Sequence, residues 1–64
     1  MRFNGSERKL DFQVNLKSFI EEQKYDILKI AVEINGVIIP KSQYESVMIS
    51  DDDVVEIVSF VGGG

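Results

Sequence analysis

Apolar and polar positions change rhythm several times along this 64-residue chain. Met1 to Asn4 alternates, Asn4-Gly5 is a hairpin-turn dipeptide, and Leu10, Phe12 and Val14 recur at period two between polar residues. Side chains alternate faces along a strand, so the stretch from Met1 to Val14 is expected to form a β-hairpin. Asn15 then offers a side-chain oxygen as an N-cap. Leu16, Phe19 and Ile20 follow at the spacing of one helical stripe, with Lys17, Ser18, Glu21 and Glu22 facing away. This helix fades near Lys24 to Asp26, and two or three turns are too short to stand alone, so it must pack on a sheet.

Ile30, Val32 and Ile34 alternate with Ala31 and Glu33, which predicts a third strand. Asn35-Gly36 is a second hairpin turn, Val37-Ile38-Ile39 a short fourth strand, and Pro40 its end, because proline cannot donate to a ladder. Residues 41–50 read as loop or a short helical turn anchored by Tyr44, Val47 and Ile49, with Tyr25 and Tyr44 expected half-buried. Asp51-Asp52-Asp53 is a solvated turn, and Val54 to Val61 is the longest β-prone run. Gly62-Gly63-Gly64 has no side chains to pack and is expected to be a flexible tail. The order is β-β-α-β-β-β. Its ββαβ core is that of an α+β, β-grasp domain over 1–61, with one main helix across a mixed sheet and a tail at 62–64.

Composition narrows what such a domain can do. A chain this small buries only ~60% of the surface its unfolded form exposes, which leaves little room for an enclosed active site. It has no cysteine and no histidine, which removes disulfides, thiolate metal sites and the usual general base. The three consecutive aspartates lack the alternate spacing of a calcium loop, so no metal is expected. Eleven acidic residues against seven basic give a net charge of -4. Without a basic cluster no nucleic-acid partner is expected, and a basic protein surface fits better. No apolar run approaches the ~20 residues of a membrane helix, so a soluble cytoplasmic chain with no membrane partner, a monomer by itself, is the expectation.

The tail carries the chemistry. A carboxylate beyond three glycines is sterically bare, and three extended residues reach roughly 10 Å into a narrow channel. With a reference pKa of about 3.3–3.7, the Gly64 α-carboxylate is anionic at neutral pH and needs no activating base. Attack on the α-phosphate of ATP held by another protein would give an acyl adenylate. Alternation along the last strand places Val54, Glu56, Val58 and Phe60 on one face and Val55 and Ile57 toward the helix. Val58, Phe60 and Val61 would then form an apolar patch leading to the tail, where a partner would dock.

The segment Ala31-Val32-Glu33-Ile34-Asn35-Gly36, with Ile39-Pro40 and Ser42-Gln43-Tyr44, resembles the middle of the ThiS family, the ubiquitin-like sulfur carriers of thiamine biosynthesis. Val55-Glu56-Ile57-Val58 with Phe60-Val61-Gly62-Gly63-Gly64 resembles that family's C-terminal signature. The resemblance implies a carrier acted on by others and not an enzyme. An E1-like adenylating enzyme of the ThiF type would activate Gly64 with ATP, and a cysteine-derived persulfide would convert it to a thiocarboxylate. A thiazole synthase of the ThiG type would then take the sulfur for the thiazole of thiamine. Gly62 and Gly63 would enter the partners' sites, and no cofactor would be bound permanently. The chain departs from the family at Asp52, where glycine is usual, which bears on the turn. It departs also at Val37, where a charged residue is common, which bears little on the chemistry. Two alternatives share the fold: a sulfur carrier for molybdopterin or another thio-product, and a β-grasp binding module with an inert tail.

Overall fold

The computed structural model describes residues 1–60 as a mixed sheet with one α-helix on its inner face. Strands β1 (Arg2–Phe3) and β2 (Ser6–Glu7) form the first hairpin, and β3 (Val14–Asn15) leads into α1 (Leu16–Glu22). After a 3-10 turn at Ile27–Lys29 come β4 (Ile30–Ile34), β5 (Val37–Ile39), a second 3-10 turn at Lys41–Gln43, β6 (Met48–Ile49) and β7 (Val54–Ser59). The main sheet runs β2-β1-β7-β4-β5, and β3 pairs with β6 as a separate ribbon. β1 and β7 are parallel, and the other pairings are antiparallel. This is the expected mixed sheet with one helix.

Both Asn-Gly turns form as expected. Asn4 and Gly5, like Asn35 and Gly36, all have positive φ, the requirement of a two-residue turn that matches strand twist. Each asparagine also closes the sheet with its side chain. Asn4 Oδ1 accepts from the Ile57 amide at 2.8 Å, continuing the β1–β7 pairing past the end of β1. Asn35 Oδ1 accepts from the Val54 amide at 2.9 Å, and its amide group donates to Asp53 Oδ1 at 2.9 Å.

The helix begins where Asn15 Oδ1 accepts from the Ser18 amide at 3.2 Å. Leu16, Phe19 and Ile20 are buried against the sheet, each contributing about 1.5–3 kcal/mol. Phe3 meets Phe19 edge-on at 5.0 Å and Tyr25 at 6.4 Å. The helix ends with Tyr25 N–H donating to Ile20 O and Lys24 N–H to Glu21 O, which forces Lys24 to φ 65.

Four expectations need correction. Leu10, Phe12 and Val14 do not form one strand: residues 8–13 are irregular, Phe12 is 84% exposed, and only Val14 pairs, with Ile49 of β6. The backbone turns away from the sheet after Arg8, whose amide still donates to Met1 O, so the alternating residues meet no partner strand until Val14. Residues 41–50 hold a short strand, β6, as well as the helical turn. Tyr44 is a core residue at 2% exposure, and burial pushes its phenol up from the usual range; Tyr25 is half-buried as expected. The aspartate turn is more than solvated. Asp51 Oδ1 accepts from the Leu10 amide at 2.8 Å and the Met1 ammonium at 2.9 Å. Asp53 accepts from the Ser50 amide at 2.8 Å. Asp52 stays out of the left-handed region, so the turn does not require the glycine usual at that position. Among the described residues no group of acids could hold a metal, and no helix is long and apolar enough to cross a membrane.

Lys24→Gly removes the strain of a side chain at positive φ and should stabilise the fold by about 0.5–1 kcal/mol, raising Tm by several degrees in a calorimetric scan. The Asp51 and Asp53 carboxyls are held below their usual range, Asp51 chiefly by the Leu10 amide and Asp53 chiefly by the Ser50 amide. Their contribution is therefore complete above the unfolded carboxylate range near pH 3.9, and it disappears as pH falls through the lower folded-state values. Urea melts of D51N from pH 6 to about 2 should show a shallower acid loss than the natural chain.

Candidate functional site

The two faces of β7 are unlike because alternation meets a one-sided core. Val55 and Ile57 point inward and are buried with Val32, Ile34 and Ile20. Val54, Glu56, Val58 and Phe60 point outward and are exposed, as the alternation predicted. Val58 is 60% and Phe60 51% exposed, so both lie on an open sheet face.

The register adds residues to this face. Glu33 of β4 lies directly opposite Glu56 of β7 on one side and Ile38 of β5 on the other, and Ala31 lies opposite Val58. A shallow depression is lined by Ala31, Glu33, Ile38, Glu56, Val58 and Phe60. Ile38 is 71% exposed, and the sequence pattern marks it only as a strand residue. The signal for its orientation was present: a two-residue turn at Asn35-Gly36 sets Ile38 against Glu33, the outward residue of β4. Nothing local to Ile38 shows it, because Val37 and Ile39 are equally apolar.

Beyond the strand, the Phe60 amide donates to Lys29 O at 2.7 Å, which holds Phe60 in line with β7. Lys41 Nζ donates to Ile30 O at 3.0 Å and sits 5.9 Å from the Phe60 ring centre, within cation–π reach. The backbone is therefore guided along the sheet to the edge of the apolar patch. Val61, Gly62, Gly63 and Gly64, expected to extend that patch and thread into partners, lie outside the described residues. What the described residues offer is an exposed face with an apolar floor and two carboxylates. It holds no acid–base pair poised around a cleft.

Known proteins resemble this chain in sequence and in fold. The sequence profile described as the ThiS family matches residues 1–64. The chain is 43% identical over 61 residues to a protein of Paramagnetospirillum magneticum named thiazole synthase, covering 95% of this chain but 19% of that protein. It is 54% identical over 35 residues to the sulfur carrier protein ThiS of Bacillus subtilis, covering 55% of this chain and 53% of that one. The crystal structure of the thiamine biosynthesis protein (ThiS) from Geobacter metallireducens superimposes with a TM-score of 0.82 at 26% identity, covering 98% of this chain and 96% of that one.

The two faces of β7 should respond oppositely to substitution. V58S and F60S should change stability by no more than about 0.5 kcal/mol, as surface substitutions do. I57A should cost about 2–5 kcal/mol, as truncation of a buried isoleucine does. Chemical denaturation of the three variants checks this directly.

Proposed function

The chain belongs to the ThiS family, and from that premise we propose that it is a sulfur carrier of thiamine biosynthesis whose reactive group is the Gly64 carboxylate. The observation that carries the reading is that the family profile runs through the whole of 1–64, the three terminal glycines included. The open face of β7 supports it, since a carrier must dock on enzymes that do the chemistry. So does the composition: the chain has neither histidine nor cysteine, and the proposed reaction asks for no side-chain catalyst.

In the first step a carboxylate oxygen of Gly64 attacks the α-phosphorus of ATP in an adenylating partner. One P–O bond forms, another breaks, and pyrophosphate leaves. The product is a mixed anhydride whose carbonyl carbon is open to nucleophiles. Sulfide sulfur attacks that carbon and AMP departs, leaving a thiocarboxylate. With a persulfide donor the first product is an acyl disulfide, and a thiol releases the thiocarboxylate from it while forming a disulfide. The thiocarboxylate sulfur is then donated to a thiazole synthase. The apolar face around Val58 and Phe60 would seat these partners while Val61, Gly62 and Gly63 enter their sites. ATP is thus a substrate of the partner and not a cofactor of this chain.

The test is intact mass after incubation with the adenylating enzyme, ATP and sulfide. The carrier reading predicts a gain equal to replacement of one oxygen by sulfur, absent without ATP and absent when Gly64 is deleted. An enzyme that charges its own carrier under the same conditions but leaves this chain unchanged would overturn it.

A further inference from the structure

The main sheet carries an arrangement that its own stability does not explain. Glu33 and Glu56 stand directly opposite each other in the middle of the β4–β7 pairing. Opposed side chains in an antiparallel pair have Cβ atoms about 4.5–5.5 Å apart, and like charges there repel. The ion pairs among the described residues lie elsewhere: Met1 with Asp51, Arg2 with Glu7, and Lys17 with Glu45. Arg2, the cation that pairing places beside Val54 on β7, is committed to Glu7 at 2.9 Å. Lys41 Nζ is held by Ile30 O. Among the described residues the two carboxylates therefore have no ion-pair partner, and they lie next to the exposed Ile38, Val58 and Phe60.

We propose that an arginine of the sulfur-accepting thiazole synthase docks here, its guanidinium held between Glu33 and Glu56 and its apolar neighbours seated on Ile38, Val58 and Phe60. This rests on the carrier reading above and specifies how one partner recognises the face. A guanidinium has five donors in a planar fork and can serve two carboxylates at once, whereas an ammonium is a point charge. The choice of partner follows from the relative in which a stretch similar to this chain is part of a larger protein named thiazole synthase. A second copy of this chain fits poorly, because a two-fold contact through this face would oppose one glutamate pair to another.

The experiment is calorimetric titration of the full chain with the thiazole synthase of its own organism, at low and high salt. The natural chain is compared with E33Q, E56Q and the double variant. The double variant should bind at least roughly 30-fold more weakly, as loss of a desolvated charge partner predicts. It should also lose most of the salt dependence, while melting no lower than the natural chain. Equal affinity in all four chains overturns the proposal, as does self-association of the natural chain through this face in place of synthase binding. Sulfur acquisition at Gly64, followed by intact mass, separates the two readings. A chain that acquires sulfur but whose glutamine variants bind normally remains a carrier without this arginine contact. A chain that never acquires sulfur, yet whose synthase binding is lost in the double variant, keeps the contact and loses the carrier role.

Discussion

The structure depends on holding β7, the last strand, in the middle of the sheet. It pairs in parallel with β1 from the start of the chain and antiparallel with β4 from the centre. β1 has only two residues and β4 ends at Ile34, and the side chains of Asn4 and Asn35 extend the bonding to β7 beyond both strands. Without Asn4 the Ile57 amide would face β1's turn with no acceptor, a loss that a small domain feels strongly. The Met1 ammonium and the Leu10 amide converge on Asp51 just before β7, so the same turn ties down the N-terminal strand.

Placing the strand centrally separates its two faces. Val55 and Ile57 are sealed beneath the helix with Ile20, Ile30 and Val32, and their loss would open the core. Glu56, Val58 and Phe60 make no part of that core, and the two apolar side chains stand bare on the sheet face, where the proposed partners would dock. A strand fixed on one side and bare on the other holds its far end in a defined direction. This is what a carrier with chemistry beyond Phe60 requires. The glutamate pair fits the same division, since the fold bears a local repulsion on the face where no core contact constrains it.

Much of this was legible in the sequence, and what was not has common physical causes. β4 and β7 have five and six residues, long enough for alternation to show both strand and face. The two Asn-Gly turns and the Asn15 cap are local chemistry and formed as read. The candidate patch at Val58 and Phe60 came from alternation alone. By contrast, Leu10 and Phe12 alternate without being a strand, because pairing depends on where the backbone leaves the sheet, which alternation does not display. β3 and β6 have two residues each, below any periodicity. The burial of Tyr44 and the role of Asp51 arise from contacts across much of the chain. The Glu33–Glu56 opposition needed the register of two strands with 19 residues between them. For Gly62, Gly63 and Gly64 the reading rests on sequence and family alone.

In the proposed chemistry the chain's own terminal carboxylate is the nucleophile. This role is tested most directly by preparing the protein with both oxygens of the Gly64 carboxylate labelled with heavy oxygen, then charging it with ATP, sulfide and the adenylating enzyme. Attack by that carboxylate on phosphorus requires one labelled oxygen to leave in each AMP, with the other retained in the thiocarboxylate. AMP released without label, alongside thiocarboxylate formation, would contradict the account.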